Sequence, residues 1–204
     1  RGQKLVNNSN KREHFQREMA QESLKVLAEA NPEDIILIND IDEIPDLTGL
    51  DFRKINKKLI IFKQKVFFYK FNLLYEGLCW YGSRACRKKY FISPQWLRDI
   101  KHKKYFPLRI DIIFSKMKYS SIHHVEDGGW HFSNIKSPKD IERKFSNFLH
   151  HQEFELSGLN LNDIEKMVKE KKILYDHSAD KTDYKWTNSK TLKKVDLIQM
   201  PDYI

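Results

Sequence analysis

Four carboxylates crowd the stretch from 40 to 46: Asp40, Asp42, Glu43 and Asp46, with Pro45 among them. Asp40 and Asp42 are two positions apart, so on extended backbone they face the same way. Carboxylates placed like this repel unless a cation lies between them. Oxygen ligands suit a hard divalent ion, Mg2+ or Mn2+, which keeps several waters and binds substrate phosphates. The simpler use is an acidic turn, because Asp and Pro both favour turns. The residues before the cluster favour the metal. Ile35, Ile36, Leu37 and Ile38 are an apolar, largely β-branched run. Such a run reads as a strand buried on both faces, as in a parallel sheet. The cluster then sits at the carboxyl end of that strand, the edge where open α/β sheets bind ligands.

A second chemical stretch is Ile122-His-His-Val-Glu-Asp-Gly-Gly-Trp-His-Phe-Ser-Asn134. Gly128 and Gly129 permit a tight turn or a close approach to a ligand. On a strand, His131 points away from Trp130 and Phe132, which makes it a metal or phosphate ligand candidate. Glu126 and Asp127 precede the glycines. Elsewhere, Arg12 and Arg17 lie in the first turns of a helix expected over 9–30, where either can approach a phosphate or a base. Arg143 and Lys144 lie on a helix expected from Pro138 to about His151, followed by Glu153. His151 and Glu153 fit the holding of an acceptor or a diphosphate better than a zinc site, since no matching Cys/His set is near.

The elements that position these residues follow from pattern. Leu50–Lys58 reads as a short helix, and 59–71 as a long strand that becomes aromatic throughout. Leu78–Cys86 reads as a second strand, in which Trp80 and Tyr81 either stack on a sugar or pack the core. Ser93-Pro94 opens a short helix to about Ile100. Lys101–Lys104 reads as a solvated basic loop and Leu108–Phe114 as a strand. Leu161–Lys172 is amphipathic. Residues 195–204 form a short apolar run ended at Pro201.

The totals set bounds. The chain has 204 residues, 40% hydrophobic and 13% aromatic, enough to bury a core as one large domain or as a domain plus a small lobe, and is taken as a single catalytic domain. Lys+Arg number 37 against 28 Asp+Glu, a formal +9, which suits polyanions: nucleic acid, an anionic membrane or nucleotide phosphates. Two cysteines, Cys79 and Cys86, make no disulfide framework and read as reduced thiols, which favours a cytoplasmic setting. No run of about 18 apolar residues offers a transmembrane segment, and the polar start has no signal-peptide core.

Taken together, Ile-Leu-Ile-Asn-Asp-Ile-Asp-Glu-Ile-Pro (36–45), Gly-Trp-His-Phe-Ser (129–133), the basic helix leading to His151-Gln-Glu153-Phe154 and the closing Met-Pro-Asp-Tyr-Ile resemble glycosyltransferase family seventeen in the right order. Arg12-Glu13-x-x-Gln16-Arg17 resembles it too. These are β-1,4-N-acetylglucosaminyltransferases whose animal members add the bisecting GlcNAc to N-glycans in the Golgi. The resemblance runs from about residue 12 to the end. It implies an α/β fold of GT-A (Rossmann-like) type, a mixed sheet flanked by helices. It also implies a UDP-sugar donor, a glycan or glycoprotein acceptor, and Mn2+ or Mg2+.

Carried over residue by residue, Asp42 would ligate the ion and Asp40 would contact ribose or a water on the ion. Glu43 would lie behind them, and His131 would complete the coordination. On their own chemistry, and not from the family pattern, Arg12, Arg17, Arg143, Lys144 and His151 are the further candidates for binding the donor. Asp127 is the candidate base, with Glu126 and Glu153 as alternatives. A GT-A domain usually begins with a strand and helix that build the nucleotide-base pocket. Here a helix leads straight to the acidic strand, so that unit is expected to be missing, from either a fragment or a shortened member. Two rival readings use the same residues. One is a metal-dependent phosphodiesterase or nuclease. The other is a basic nucleic-acid-binding domain, which leaves the acidic turn unexplained.

Overall fold

The computed structural model describes residues 8, 11–12, 14–19, 29–103, 105–106, 108–147, 151–175 and 190–197. Its elements are β1 (Ile35–Ile38), β2 (Glu43–Pro45), β3 (Leu59–Phe68), β4 (Leu73–Arg87), α1 (Pro94–Asp99), α2 (Ile110–Ile113), β5 (Ile122–Val125), β6 (Gly129–Ser133), α3 (Pro138–Asn147), α4 (His151–Ser157), α5 (Leu161–Lys169) and β7 (Lys193–Lys194). The fold is α/β. Seven strands form one mixed sheet in the order β1-β4-β3-β6-β2, with β5 also on β3 and β7 on β4. β3 runs parallel to β5 and to β6, whereas β1 and β7 are antiparallel to β4. The described residues divide into two compact units: those of Asn8–Gln64 with Trp80–Gly129, and those of Lys65–Cys79 with the chain from Trp130 onward. Among the described residues no helix is long and apolar enough to cross a membrane.

The first unit is built on β3. Strand periodicity sends Leu59 and Ile61 to one face, where they join Cys86, Leu97, Ile100 and Ile122. Ile60 and Phe62 go to the other face, with Ile55 and Ala85. β1 splits the same way: Ile38 packs on the first cluster, Ile35 and Leu37 on the second. The apolar run thus packs on both faces, as its sequence implies. It does so at one end of the strand order and antiparallel to β4, not in a parallel sheet. Ser93 caps α1 by accepting from the Trp96 amide, with Pro94 in the first turn.

Two local expectations fail in this unit. Leu50–Lys58 holds only one turn of 3-10 helix, Phe52–Lys54, capped by Asp51. The run Leu108–Phe114 contains the one-turn helix α2 instead of a strand, with Leu108, Ile110 and Phe114 in solvent. Of the expected helix over 9–30, residues 11–12 and 14–19 are helical, and 20–28 lie outside the described residues.

In the second unit, β3 continues as Lys65–Phe68 beside Trp130–Ser133 of β6. Phe67 lies against Phe132 at 5.5 Å and Phe68 against Tyr75 at 6.1 Å, so most of the aromatic strand is core. β3 ends where Tyr69 turns to φ 64. Of the helix expected to run from Pro138 to about His151, Pro138–Asn147 is helical, 148–150 lie outside the described residues, and helix is described again from His151. Asn160 and Asp163 form a capping box on α5, which ends at Lys169, short of Lys172. Phe145 and Phe154 join α3 to α4 at 5.6 Å.

Both cysteines are free, Cys79 exposed and Cys86 buried. Burial pushes the Cys86 thiol up to about 12, which keeps it protonated and inert.

Candidate functional site

Asn39–Asp42 carries the chain from β1, at one end of the strand order, to β2 at the other. It does so in a tight turn, closed by the Glu43 amide donating to the Asp40 carbonyl at 3.0 Å. The backbone between Asp40 and Asp42 is therefore not extended, and the two-residue spacing does not align them as it would on a strand. Ile41 between them is fully exposed. Asn39 braces the turn, its side-chain amide donating to the Asp40 and Glu43 carbonyls at 3.1 and 3.0 Å.

Glu43 ends this turn pointing inward, with no side-chain exposure. Four donors hold its carboxylate. Arg98 Nη1 donates to Oε2 at 2.7 Å and Arg98 Nη2 to Oε1 at 2.9 Å, a two-pronged pair. Trp80 Nε1 donates to Oε1 at 2.8 Å, and the Asp40 amide to Oε2 at 3.1 Å. Burial pushes the Glu43 carboxyl up, but the Arg98 guanidinium, the indole and the amide outweigh it. The net shift is downward, and Glu43 stays ionised. Room for the carboxylate comes from Gly82 on β4. A β-carbon there would lie 2.6 Å from the Glu43 carboxyl carbon and would strike the Gln64 amide oxygen.

The cation between the carboxylates, among the described residues, is Arg98. Besides Glu43 it donates to Asp40 Oδ2 at 2.7 Å and to the Gly82 carbonyl at 2.6 Å. Burial pulls its pKa down, but Glu43, Asp40 and Asp42 together raise it. Arg17 reaches Asp40 at 3.4 Å and the Gln95 side-chain oxygen at 3.2 Å. Arg84 lies close by, donating to the Leu97 and Tyr81 carbonyls. Burial, then repulsion from Arg98, lowers its pKa to about 10.

Outside this packing, Asp40 keeps 38% of its side chain exposed, and Asp42 is half-buried. A cleft of about 360 Å³ opens here, lined by Gln16, Arg17, residues 37–40 and Pro94.

The glycine pair packs against backbone. Gly129 has φ 118, and a β-carbon on it would strike the Ile44 carbonyl and lie 2.7 Å from the Asp46 nitrogen. The Asp46 amide donates to the Gly128 carbonyl at 3.1 Å, so the 126–129 turn and the acidic stretch are joined through backbone. Asp127 sits in that turn at φ 46. Glu126 pairs with Lys63 Nζ at 2.6 Å, in solvent.

The structure therefore gathers Asp40, Asp42, Glu43 and Arg17 around Arg98. Arg12 is exposed on the N-terminal helical segment. His131, Arg143, Lys144, His151 and Glu153 belong to the other compact unit. There, His131 is buried on β6, Lys144 donates to the Asn134 side chain at 2.8 Å, and Arg143 is exposed. His151 opens α4. The side chain of Glu153 lies outside the described residues.

Sequence reasoning missed Arg98, Gly82 and the indole of Trp80 as partners of Glu43. One signal was present: a carboxylate that folds inward requires a paired cation, and α1 places Arg98 directly after buried Leu97.

Among the described residues no three His, Cys, Asp or Glu side chains converge as a protein-only metal cage requires. One or two carboxylates, which Asp40 and Asp42 provide, are the complement that Mg2+ or Mn2+ uses when substrate phosphates and waters supply the remaining ligands. The donor set thus fits an ion that arrives with a phosphorylated substrate. Comparison with protein-family models, curated proteins and solved structures finds no match to this chain.

Proposed function

We propose that the chain is a metal-dependent glycosyltransferase of GT-A type, similar to family seventeen. It would transfer a sugar, GlcNAc being the leading candidate, from a UDP-sugar to a glycan acceptor with inversion. The observation that carries this reading is the pair of partly exposed aspartates, Asp40 and Asp42, at the carboxyl end of β1. They stand on a turn braced from behind by Glu43 and Arg98, beside an open cleft that Arg17 lines. Rigid support of an exposed acidic pair suits a site that must hold a ligand at fixed geometry.

In this reading Asp40 and Asp42 would hold Mg2+ or Mn2+, which would supply positive charge against the departing diphosphate. Arg17 turns from Asp40 toward the phosphates; its 3.4 Å contact is loose enough to exchange. Arg98 stays where it is, fixing the turn. Asp127 takes the proton of the acceptor hydroxyl while that oxygen bonds to C1 of the sugar and the C1–oxygen bond to the diphosphate breaks.

The test is release of UDP from UDP-GlcNAc with Mn2+ and a panel of glycan acceptors. Wild type should turn over, and Asp127→Asn should lose at least about 100-fold in kcat. Turnover of Asp127→Asn at the wild-type rate would remove Asp127 from the role. A folded wild type that releases no UDP with any donor would remove the transferase reading.

A further inference from the structure

Between Ile100 and Ser120 the chain carries Lys101, Lys103, Lys104, Arg109, Lys116 and Lys118 against one acid, Asp111. Among the described residues, the same segment carries the largest group of apolar side chains left in water. Phe106, Leu108, Ile110 and Phe114 are 66–83% exposed, within nine consecutive residues. Isolated exposed apolar residues are ordinary; four large ones on a stretch this short mark a contact surface. The segment is nonetheless shaped. The Arg109 amide donates to the Phe106 carbonyl, Ile112 to Arg109 and Ser115 to Ile112, each at 3.1 Å, so successive turns hold the apolar side chains outward. Trp96 Nε1 donates to the Lys116 carbonyl, and the Lys101 amide to the Met117 carbonyl, tying the far end to the fold.

The charges indicate what covers this surface. Asp111 is enclosed by its neighbours: Arg109 Nε at 2.9 Å and Lys118 Nζ at 2.7 Å. Both cations also lie over the Tyr105 ring. With the segment's one acid neutralised locally, Lys101, Lys103 and Lys116 flank the aromatic and aliphatic group in sequence as exposed positive charge. Exposed Phe, Leu and Ile framed by Lys is the composition of a segment that lies in a lipid interface, apolar groups in the acyl boundary and cations at anionic headgroups. A protein groove would match the apolar part but gives no reason for a rim of a single charge sign.

We propose that residues 101–118 dock the protein peripherally on a membrane surface rich in anionic lipid. The inference stands apart from the transferase reading, since none of its residues belongs to the acidic turn or its supports.

The experiment is co-sedimentation of the full chain with vesicles of mixed phosphatidylcholine and phosphatidylglycerol, and with vesicles of phosphatidylcholine alone. Wild type should bind the mixed vesicles and release them as salt rises. Two variants, Phe106→Ser/Phe114→Ser and Lys103→Glu/Lys116→Glu, should each lose about tenfold or more of that partitioning. All four positions are exposed, so both variants should keep the wild-type circular dichroism. Failure of folded wild type to bind mixed vesicles overturns the proposal. So does equal binding to phosphatidylcholine alone, or binding that both variants retain. A wild type that dimerises through this patch and ignores vesicles overturns it in favour of a protein occupant.

Discussion

Two carboxylate clusters in the first compact unit use the same chemistry with opposite consequences. Glu43 and Arg98 pair out of water; Trp80 and the Asp40 amide also donate to Glu43, and Arg98 donates to the Gly82 carbonyl. Asp111 is gripped as closely by Arg109 and Lys118, but on the surface. Both carboxyls are held below their ordinary range. Glu43 is lowered despite burial; Asp111 is lowered to about 2, chiefly by hydrogen bonds from Arg109 and then Lys118. The difference is solvent. A surface pair is screened and contributes little to stability, while a buried pair that loses one member leaves a bare charge inside. Glu43–Arg98 is therefore framework for the acidic turn. The Asp111 cluster sets the charge of a surface and supports no fold.

The sharpest way to break this comparison is Glu43→Gln. It leaves Arg98 without its buried counter-charge and should cost about 3–5 kcal/mol, read from the midpoint of urea unfolding. Next is Gly129→Ala, which puts a β-carbon against the Ile44 carbonyl at φ 118 and should cost about 2–3 kcal/mol. A smaller effect follows from pH. The Glu43 carboxyl titrates lower in the folded chain than its ordinary 4.5, so its contribution is present above that value and lost as pH falls through the depressed folded value. Wild type should lose stability on acidification below pH 4.5, and Glu43→Gln should lose less over the same window. Smallest is Asp111→Asn, which should leave the thermal midpoint unmoved. A large drop there would erase the distinction.

Much of this was legible in the residues. Alternation along β3 and β1 gave strands packed on two faces, because side-chain direction is local. Partner direction is not: an apolar β-branched run reports burial and is silent on whether its neighbour runs parallel, which is why β1 proved antiparallel. Leu108–Phe114 read as a strand because its composition is strand-like, yet among the described residues no strand pairs with it, and one helical turn satisfies its backbone locally. The acidic turn and the glycine pair were both identified as chemically loaded. Their joining through Asp46 and Gly128 was not, since nothing in either stretch encodes the other. Arg98 escaped notice for the same reason. It lies fifty-five positions from Glu43, and only the fold makes them neighbours.

The central claim is that Asp40 and Asp42 face a phosphorylated donor while Glu43 and Arg98 only support them. The most direct test is calorimetric titration of UDP-GlcNAc, with and without Mn2+, into wild type and Asp42→Ala. Binding should require the metal and be lost in Asp42→Ala, with the variant's unfolding midpoint close to that of wild type. Metal-dependent binding that survives in Asp42→Ala, or a folded wild type that binds no donor with Mn2+ present, would contradict it.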